Sequence, residues 1–339
     1  MLPVSESGSA STSKSARLPT SVVPNSCSCP RKRDAARVPA LRATNGVKAT
    51  REERCRRGRH LHFRVPDLDQ ILGSHEATLL KRHNDVYRVD EYFVKLHTKA
   101  WYEDDPRAWA GAVQHEAAAY ACIAQHGLAA PKVVVALTSS DNSLGRPCLV
   151  TRALQGEPLT SAAKNASRRR WQKMLESAGE YMRRLHAITF ANAGYIMLPE
   201  GPDGVSADFE HPCWTMPDGS PCEPPRFTHG DCHAHQLFVA ERGVSGIVDM
   251  EVASAGDPSS DLFKFGLEMA ALFCPTTRWW EPFFAGYGGP PDFETLQHRM
   301  LTATDDNYEC LGFERPKEQL LHAQDWQELF ALRNRALCQ

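Results

Sequence analysis

The sequence predicts an α+β fold in two lobes: an antiparallel sheet with one key helix, then a mainly helical part. Three observations predict it. Five short apolar runs fall between positions 77 and 151, separated by turn residues, with one helical pattern among them. Beyond position 166, apolar residues recur at three- and four-residue spacing, interrupted by a hairpin. The chain has 339 residues, enough for two lobes or two small domains, with ample core.

Composition narrows the function classes. Hydrophobic content of 42% and charged content of 24% are those of an ordinary globular protein. The net charge of −2 hides an asymmetry: through Arg64 there are 14 Lys and Arg against 4 Asp and Glu, so the first part carries +10 and the remainder −12. An acidic body suits a cationic small molecule as substrate. The 11 cysteines are scattered, without a Cys-x-x-Cys pair, which argues for a reducing compartment rather than a disulfide framework. No run of about 18 apolar residues occurs, so neither a transmembrane helix nor a membrane partner is predicted.

Residues 1–63 are rich in Ser, Arg and Pro and lack a sustained apolar period, which predicts a disordered basic tail. Three readings of it stay open: a plain tail, a transit or nucleic-acid-binding arm, and an upstream stretch translated from a misassigned start. The plain tail, with a cytoplasmic location, is preferred. The Arg-rich run at 54–59 allows weak contact with polyanions, but nucleic acid is otherwise not an expected partner.

The folded part begins near Arg64. A short helix is predicted over 68–72, then strands at 77–80, 86–89 and 92–97, with His83-Asn84-Asp85 as a Gly-free turn. Lys95 lies inside the third strand, among Phe93, Val94 and Leu96. A buried ammonium there needs a partner. Glu116, in the helical pattern over 106–126, is the candidate; a Lys that snorkels to solvent and a surface Glu is the alternative. Strands at 131–137 and 147–151 complete a five-stranded antiparallel sheet, followed by the Arg152-Ala153-Leu154 junction.

An amphipathic helix follows over 167–187, its buried face made by Trp171, Met174, Leu175, Ala178, Met182 and Leu185. Arg168, Arg169 and Arg170 oppose the helix dipole, which predicts a frayed or later start. His186 reads as a packed, hydrogen-bonded residue. Residues 190–226 read as a long irregular loop of functional length. Helices are predicted over 261–273, 295–309 and 324–337, with Trp279, Trp280 and Tyr287 as aromatics of the core or the acceptor site and Asp305, Asp306 and Glu309 as solvated or acceptor-binding acids.

The central stretch lies between these helical parts. Strands at 237–240 and 245–248, joined by Glu241-Arg242-Gly243, read as a hairpin. Asp231, Gln236 and Asp249 then fall at one end of it. Two carboxylates and an amide oxygen suit a hard cation such as Mg²⁺, which leaves room for phosphates. His229, Cys232, His233 and His235 are zinc-ligand types, but their spacing matches no closed zinc pattern.

The run His229-Gly230-Asp231, His233, Asp249, Gly256-Asp257-Pro258 and Asp261-Leu262 resembles the catalytic core of the aminoglycoside phosphotransferase and choline-kinase-like family, a branch of the protein-kinase-like fold. One departure is visible: Gln236 stands where that family usually has Asn. The resemblance implies a kinase-like arrangement, with a nucleotide-binding lobe over 64–154 and a catalytic, acceptor-binding lobe over 155–339. It implies ATP, or GTP, as phosphoryl donor and Mg²⁺ as cofactor. It makes Asp231 the catalytic residue and Gln236 and Asp249 the metal ligands. Lys95 would hold the phosphates and Glu116 would orient it. Asn84 would lie in the loop covering the nucleotide, and Arg152, Ala153 and Leu154 at the adenine edge. His229 and Asp257 would shape and pin the catalytic loop, with Asp261 able to assist; a ligand role for Glu251 is open. The implied acceptor is a hydroxyl of a small molecule: an aminoglycoside-like antibiotic, an amino alcohol or a sugar. A nucleotide-binding pseudokinase serving as an interaction module is the alternative, motivated by Gln236 and the Gly-free loop. Protein kinase activity fits less well, since no Ala-Pro-Glu-like segment follows Asp249.

Overall fold

In the computed structural model the described residues are 78–82, 84–97, 106–142, 145–164, 166–196, 205–206, 220–272, 278–295, 297, 323–325 and 328. All lie in the unit Cys55–Gln339. The predicted tail, the helix over 68–72, the acids at 305, 306 and 309 and most of the last two predicted helices lie outside the described residues.

Five strands form the first sheet: β1 (Thr78–Arg82), β2 (Asp85–Val89), β3 (Tyr92–Leu96), β4 (Val133–Leu137) and β5 (Cys148–Arg152). Their order is β1-β2-β3-β5-β4, every pair antiparallel. β3 is therefore interior, with Lys95 opposite Val86 on one side and Leu149 on the other. Tyr87, Val89, Val94, Leu96, Cys148 and Val150 pack as one apolar cluster. Between β3 and β4 runs helix α1 (Pro106–Gln125), with Pro at the first helical position, where its missing N–H costs nothing.

After β5 come the short strand β6 (Glu157–Pro158), helix α2 (Leu159–Lys164) and helix α3 (Arg168–Leu185). α3 buries Met174, Leu175, Ala178, Tyr181, Met182 and Leu185; against the predicted face Tyr181 is added and Trp171 is only partly buried. Its start departs from expectation. The helix begins at Arg168 itself, because the Ser167 side chain accepts the Arg170 N–H at 3.4 Å and caps it.

The stretch expected to be irregular contributes β7 (Gly194–Ile196), β8 (Val205–Ser206) and β9 (Arg226–Thr228). The hairpin follows as β10 (Leu237–Ala240) and β11 (Gly243–Ile247), and β6 adds to its free edge. β12 (Ser254–Gly256) pairs with β7 and β9, giving a four-stranded sheet in the order β8-β7-β12-β9. Strands of two or three residues carry no readable alternation, so backbone pairing rather than side-chain pattern defines them.

Helices α4 (Ser259–Leu272) and α5 (Trp280–Tyr287) complete the described elements. α3 and α5 cross at backbone contact: a Cβ on Gly179 would lie 1.9 Å from the Phe283 carbonyl oxygen, and one on Gly286 1.9 Å from that of Glu176. Trp279, Trp280, Phe283 and Phe284 are buried there, so the two tryptophans belong to the core. Among the described residues, Cys122, Cys148, Cys222 and Cys232 are free thiols, and no helix is long and apolar enough to cross a membrane.

Candidate active site

Lys95 meets three carboxylates. Its Nζ lies 2.9 Å from Glu116 Oε2, 2.5 Å from Asp249 Oδ1 and 3.0 Å from Glu251 Oε2. Lys95 is 8% exposed and Glu116 1%, so this ammonium does not snorkel. Burial pulls the Lys95 ammonium down, but Asp249, Glu116 and Glu251 outweigh it and hold it well above its ordinary value. Burial likewise pushes Glu116 up, and Lys95 and His97 overcome this to bring its carboxyl down to about 2. The Glu116 carboxylate has a second support: the Tyr120 hydroxyl, one helical turn on, donates to its Oε1 at 3.0 Å. Asn84, 3% exposed, donates from Nδ2 to Glu251 Oε2 at 2.5 Å, so the β1–β2 turn reaches into the same cluster.

Asp249 is held by its backbone. Its φ of 70° is left-handed, uncommon for a residue other than Gly, and its N–H donates to the Tyr120 hydroxyl at 2.9 Å. This turn after β11 brings Asp249 and Glu251 onto one ammonium, although they are two residues apart outside any strand.

The loop carrying Asp231 is fastened to the same hairpin. His229 donates from Nε2 to the Val248 carbonyl at 2.9 Å and accepts the Asp231 N–H at Nδ1, at 3.2 Å. One imidazole thus spans from the residue before Asp249 to Asp231. Asp261, fully buried, accepts the His229 N–H at 2.6 Å and the Gly230 N–H at 2.8 Å. It also accepts His186 Nε2–H at 3.2 Å, and His186 Nδ1 lies 2.9 Å from the Tyr287 hydroxyl. Gly230 has φ 80°, and a Cβ there would stand 2.4 Å from the Val252 carbonyl oxygen, so only glycine fits this turn.

Asp231 itself is partly exposed, its side chain at 43%. Its Oδ1 receives Lys264 Nζ at 2.8 Å and His233 Nε2 at 3.3 Å. Its Oδ2 meets no donor among the described residues. Burial would raise this carboxyl, but the His233 hydrogen bond and the Lys264 charge hold it well below its ordinary value.

Several expected residues sit differently from their expected roles. Asp257 caps its own helix, accepting the Ser259 N–H at 3.0 Å on Oδ1 and the Ser259 hydroxyl on Oδ2, while Asp261 pins the loop. The reason is register: Asp257 precedes the first turn of α4, and Asp261 projects from that turn. Gln236, 3% exposed, turns its Oε1 onto the His233 N–H at 2.8 Å, closing the 3-10 turn Ala234–Gln236. At the junction, the Arg152 N–H donates to the Lys132 carbonyl at 2.9 Å and the Ala153 N–H to that of Glu91 at 2.8 Å. Backbone donors for a base edge are therefore not those of 152 and 153. Arg152 lies over the Tyr92 ring, and Leu154 packs at Gly246.

Tyr120, His97, Lys264 and Glu268 were not among the sequence-predicted site residues. His97, fully buried, stands 3.5 Å from Glu116 and 3.8 Å from Glu251. The four zinc-type residues do not assemble. Cys232 is buried with its Sγ 3.8 Å from Met182 Sδ, and His229 is committed to Val248 and Asp231. Glu268 joins His233 and His235 instead.

The fold is that of the kinase-like phosphotransferase class. The chain belongs to the phosphotransferase enzyme family, abbreviated APH, whose model matches residues 76–203 and 208–299. A choline/ethanolamine kinase family protein from Mesorhizobium loti shares the fold, at 16% identity over 80% of this chain and 96% of that one, with a TM-score of 0.50. The ADP-bound aminoglycoside phosphotransferase APH(2'')-Ib is similar at 14% identity over 80% and 95% of the two chains, with a TM-score of 0.49. The complex of APH(2'')-IIa with streptomycin and ATP is similar at 13% identity over 87% and 98%, with a TM-score of 0.46. No curated protein sequence matches the chain.

Proposed function

We propose that this protein transfers the γ-phosphoryl group of ATP or GTP to a hydroxyl of a small, cationic molecule in a Mg²⁺-dependent reaction. The observation that carries the reading is the buried Lys95, paired with Glu116 and facing Asp249, on a hairpin that His229 ties to Asp231. The family membership and the acidic charge of the body support it.

The donor set fits Mg²⁺. Asp249 Oδ1 and Glu251 Oε2 converge on one ammonium and are partly exposed, and both are hard oxygen donors. Asp249 would hold the ion, with Glu251 beside it, and Gln236 retains one lone pair on an oxygen that already accepts a hydrogen bond. When bound, Mg²⁺ supplies neutralisation of the negative charge on the phosphates. Lys95 binds the nontransferred phosphates, exchanging part of its carboxylate contact for theirs, while Glu116 and Tyr120 keep it aimed. Lys264 and His233 hold Asp231 Oδ1, which leaves Oδ2 to accept a hydrogen bond from the acceptor hydroxyl. Since these contacts hold its carboxyl low, Asp231 is ionised at neutral pH. It orients the hydroxyl and takes its proton late, as the bond to phosphorus forms.

The test is ADP or GDP release with Mg²⁺ over a panel of aminoglycosides, amino alcohols and sugars, beside Asp231→Ala. Turnover with one class of acceptor, lost in the variant, is expected. Nucleotide binding without turnover on any acceptor would favour the second reading, a nucleotide-binding pseudokinase. One observation supports that reading: the hydrogen bond that engages Gln236 Oε1. Activity gained by Gln236→Asn would then mark a weakened metal site.

A further inference from the structure

We propose that His233, His235 and Glu268 form a site for a divalent transition metal of the Zn²⁺ class, separate from the Mg²⁺ site. One nitrogen of each histidine and one carboxylate oxygen already lie within 4.8 Å of one another. His235 Nδ1 is 2.7 Å from Glu268 Oε1, and His233 Nδ1 is 3.9 Å from Glu268 Oε2. The 3-10 turn sets the two imidazoles side by side, ring centroids 5.4 Å apart and planes 22° from parallel. Ligands about 2 Å from a tetrahedral metal stand about 3.3 Å from each other, so closure opens the His235–Glu268 contact and draws the rest of the cluster, now within 4.8 Å, together. The side chains are 30%, 50% and 20% exposed, which gives the ion a path in and leaves room for water as a further ligand.

Donor chemistry selects the metal. Two imidazole nitrogens and one carboxylate suit Zn²⁺ or Co²⁺, whereas Mg²⁺ prefers oxygen throughout. The surroundings support the ligands as well. Glu268 accepts the His235 N–H at 3.0 Å, which fixes the carboxylate against the turn. His233 is oriented from its far side: Nε2 lies 3.3 Å from Asp231 Oδ1, so a metal on Nδ1 completes a carboxylate–histidine–metal chain.

This chain gives the site a consequence, which rests on the phosphotransferase reading. A metal on Nδ1 keeps the imidazole proton on Nε2 and fastens that N–H on the Asp231 carboxylate. Zn²⁺ on Nδ1 makes this N–H a stronger donor and draws charge from the Asp231 carboxylate, so it slows phosphoryl transfer by weakening Asp231 as acceptor of the hydroxyl proton.

The experiment titrates the metal-stripped full chain with Co²⁺ under excess Mg²⁺ and follows the visible absorption. One saturable Co²⁺ per chain is expected, displaced by Zn²⁺, with nitrogen–oxygen bands and no thiolate charge-transfer band. Binding should weaken by more than about 100-fold in His235→Ala, beyond the loss typical for an outer-shell partner. Glu268→Gln, read the same way, should weaken it too. Absence of a saturable site, or an unchanged spectrum in His235→Ala, overturns the proposal. Zn²⁺ should also inhibit wild-type turnover and spare His235→Ala. A positive Co²⁺ titration without that inhibition would keep the site and overturn its coupling to Asp231. A chain with no acceptor turnover would still be decided by the spectrum.

Discussion

Replacing Lys95 by Met removes the one ammonium that Glu116, Asp249 and Glu251 share, and leaves an apolar chain of similar length in the strand. Glu116 sets the magnitude. Its carboxyl is brought down to about 2 from 4.5, and it is almost wholly buried, so the paired state is worth about 3 kcal/mol at neutral pH. In the wild type that contribution is complete above 4.5 and is lost as pH falls toward 2. In Lys95→Met the sign reverses: burial and the Asp249 charge push Glu116 up against His97 alone, so it takes up a proton as pH falls from 7 toward 5 and the strain eases. Urea unfolding should show a deficit of about 3 kcal/mol near pH 7, a midpoint shift of about 1 M, shrinking toward pH 5. Adding Glu116→Gln should recover part of the loss, because the bare buried charge then disappears. A deficit below about 1 kcal/mol, or one constant between pH 5 and 8, would refute the claim that Lys95 compensates buried carboxylates.

Three further outcomes are expected. Asp261→Asn turns an amide N–H toward the backbone donors of His229 and Gly230; it should lower unfolding stability by about 2–3 kcal/mol and depress turnover more than nucleotide binding. His115→Asn tests a buried neutral imidazole, 2.8 Å from the Ile196 carbonyl, which burial pulls down from 6.5 to about 4. The wild type should lose about 3 kcal/mol as pH falls from 6.5 to 4, and the Asn variant, keeping the donor to Ile196, should lose that much less; parallel acid limbs would contradict it. Gly230→Ala forces a Cβ against the Val252 carbonyl oxygen at positive φ, costing about 1–3 kcal/mol, and should cut turnover more than tenfold. Unaltered kinetics would show that the turn tolerates a side chain.

How much of this was legible depends on how locally each feature is encoded. A Lys between apolar strand neighbours must find a carboxylate, and the helix that follows offers Glu116, so that pair can be inferred before any contact is seen. The five-stranded sheet is equally readable, since each strand is five residues long and is bounded by turns. The four-stranded sheet is not, because its strands run two or three residues and one of them is Ser-Ala-Gly. Tyr120 was hidden by a period that fits it: its ring lies on the buried face of α1, and only its hydroxyl reaches Glu116 and the Asp249 N–H. The role of Glu251 was left open by backbone. Two residues after Asp249, in a loop, its direction follows from a left-handed turn that nothing in its own neighbourhood specifies.

The residues missed on α4 left a signal of a different kind. That helix is mostly apolar, yet Asp261, Lys264 and Glu268 stand at spacings of three and four, which places them on one stripe. Charges on a helix whose other faces are buried need partners across the contact. The stripe and the loop before β10 run in matched order. Asp261 takes the N–H groups of His229 and Gly230, Lys264 takes Asp231, and Glu268 takes His235. One helix therefore positions the candidate catalytic loop residue by residue, and the charge on each of its rungs is opposite or complementary to what it meets. A reading that asks what a charged stripe on an apolar helix must face would have found Lys264 and Glu268. Spacing within the His229–Gln236 run alone does not, because the partner lies about thirty residues away and enters only through the packing of α4.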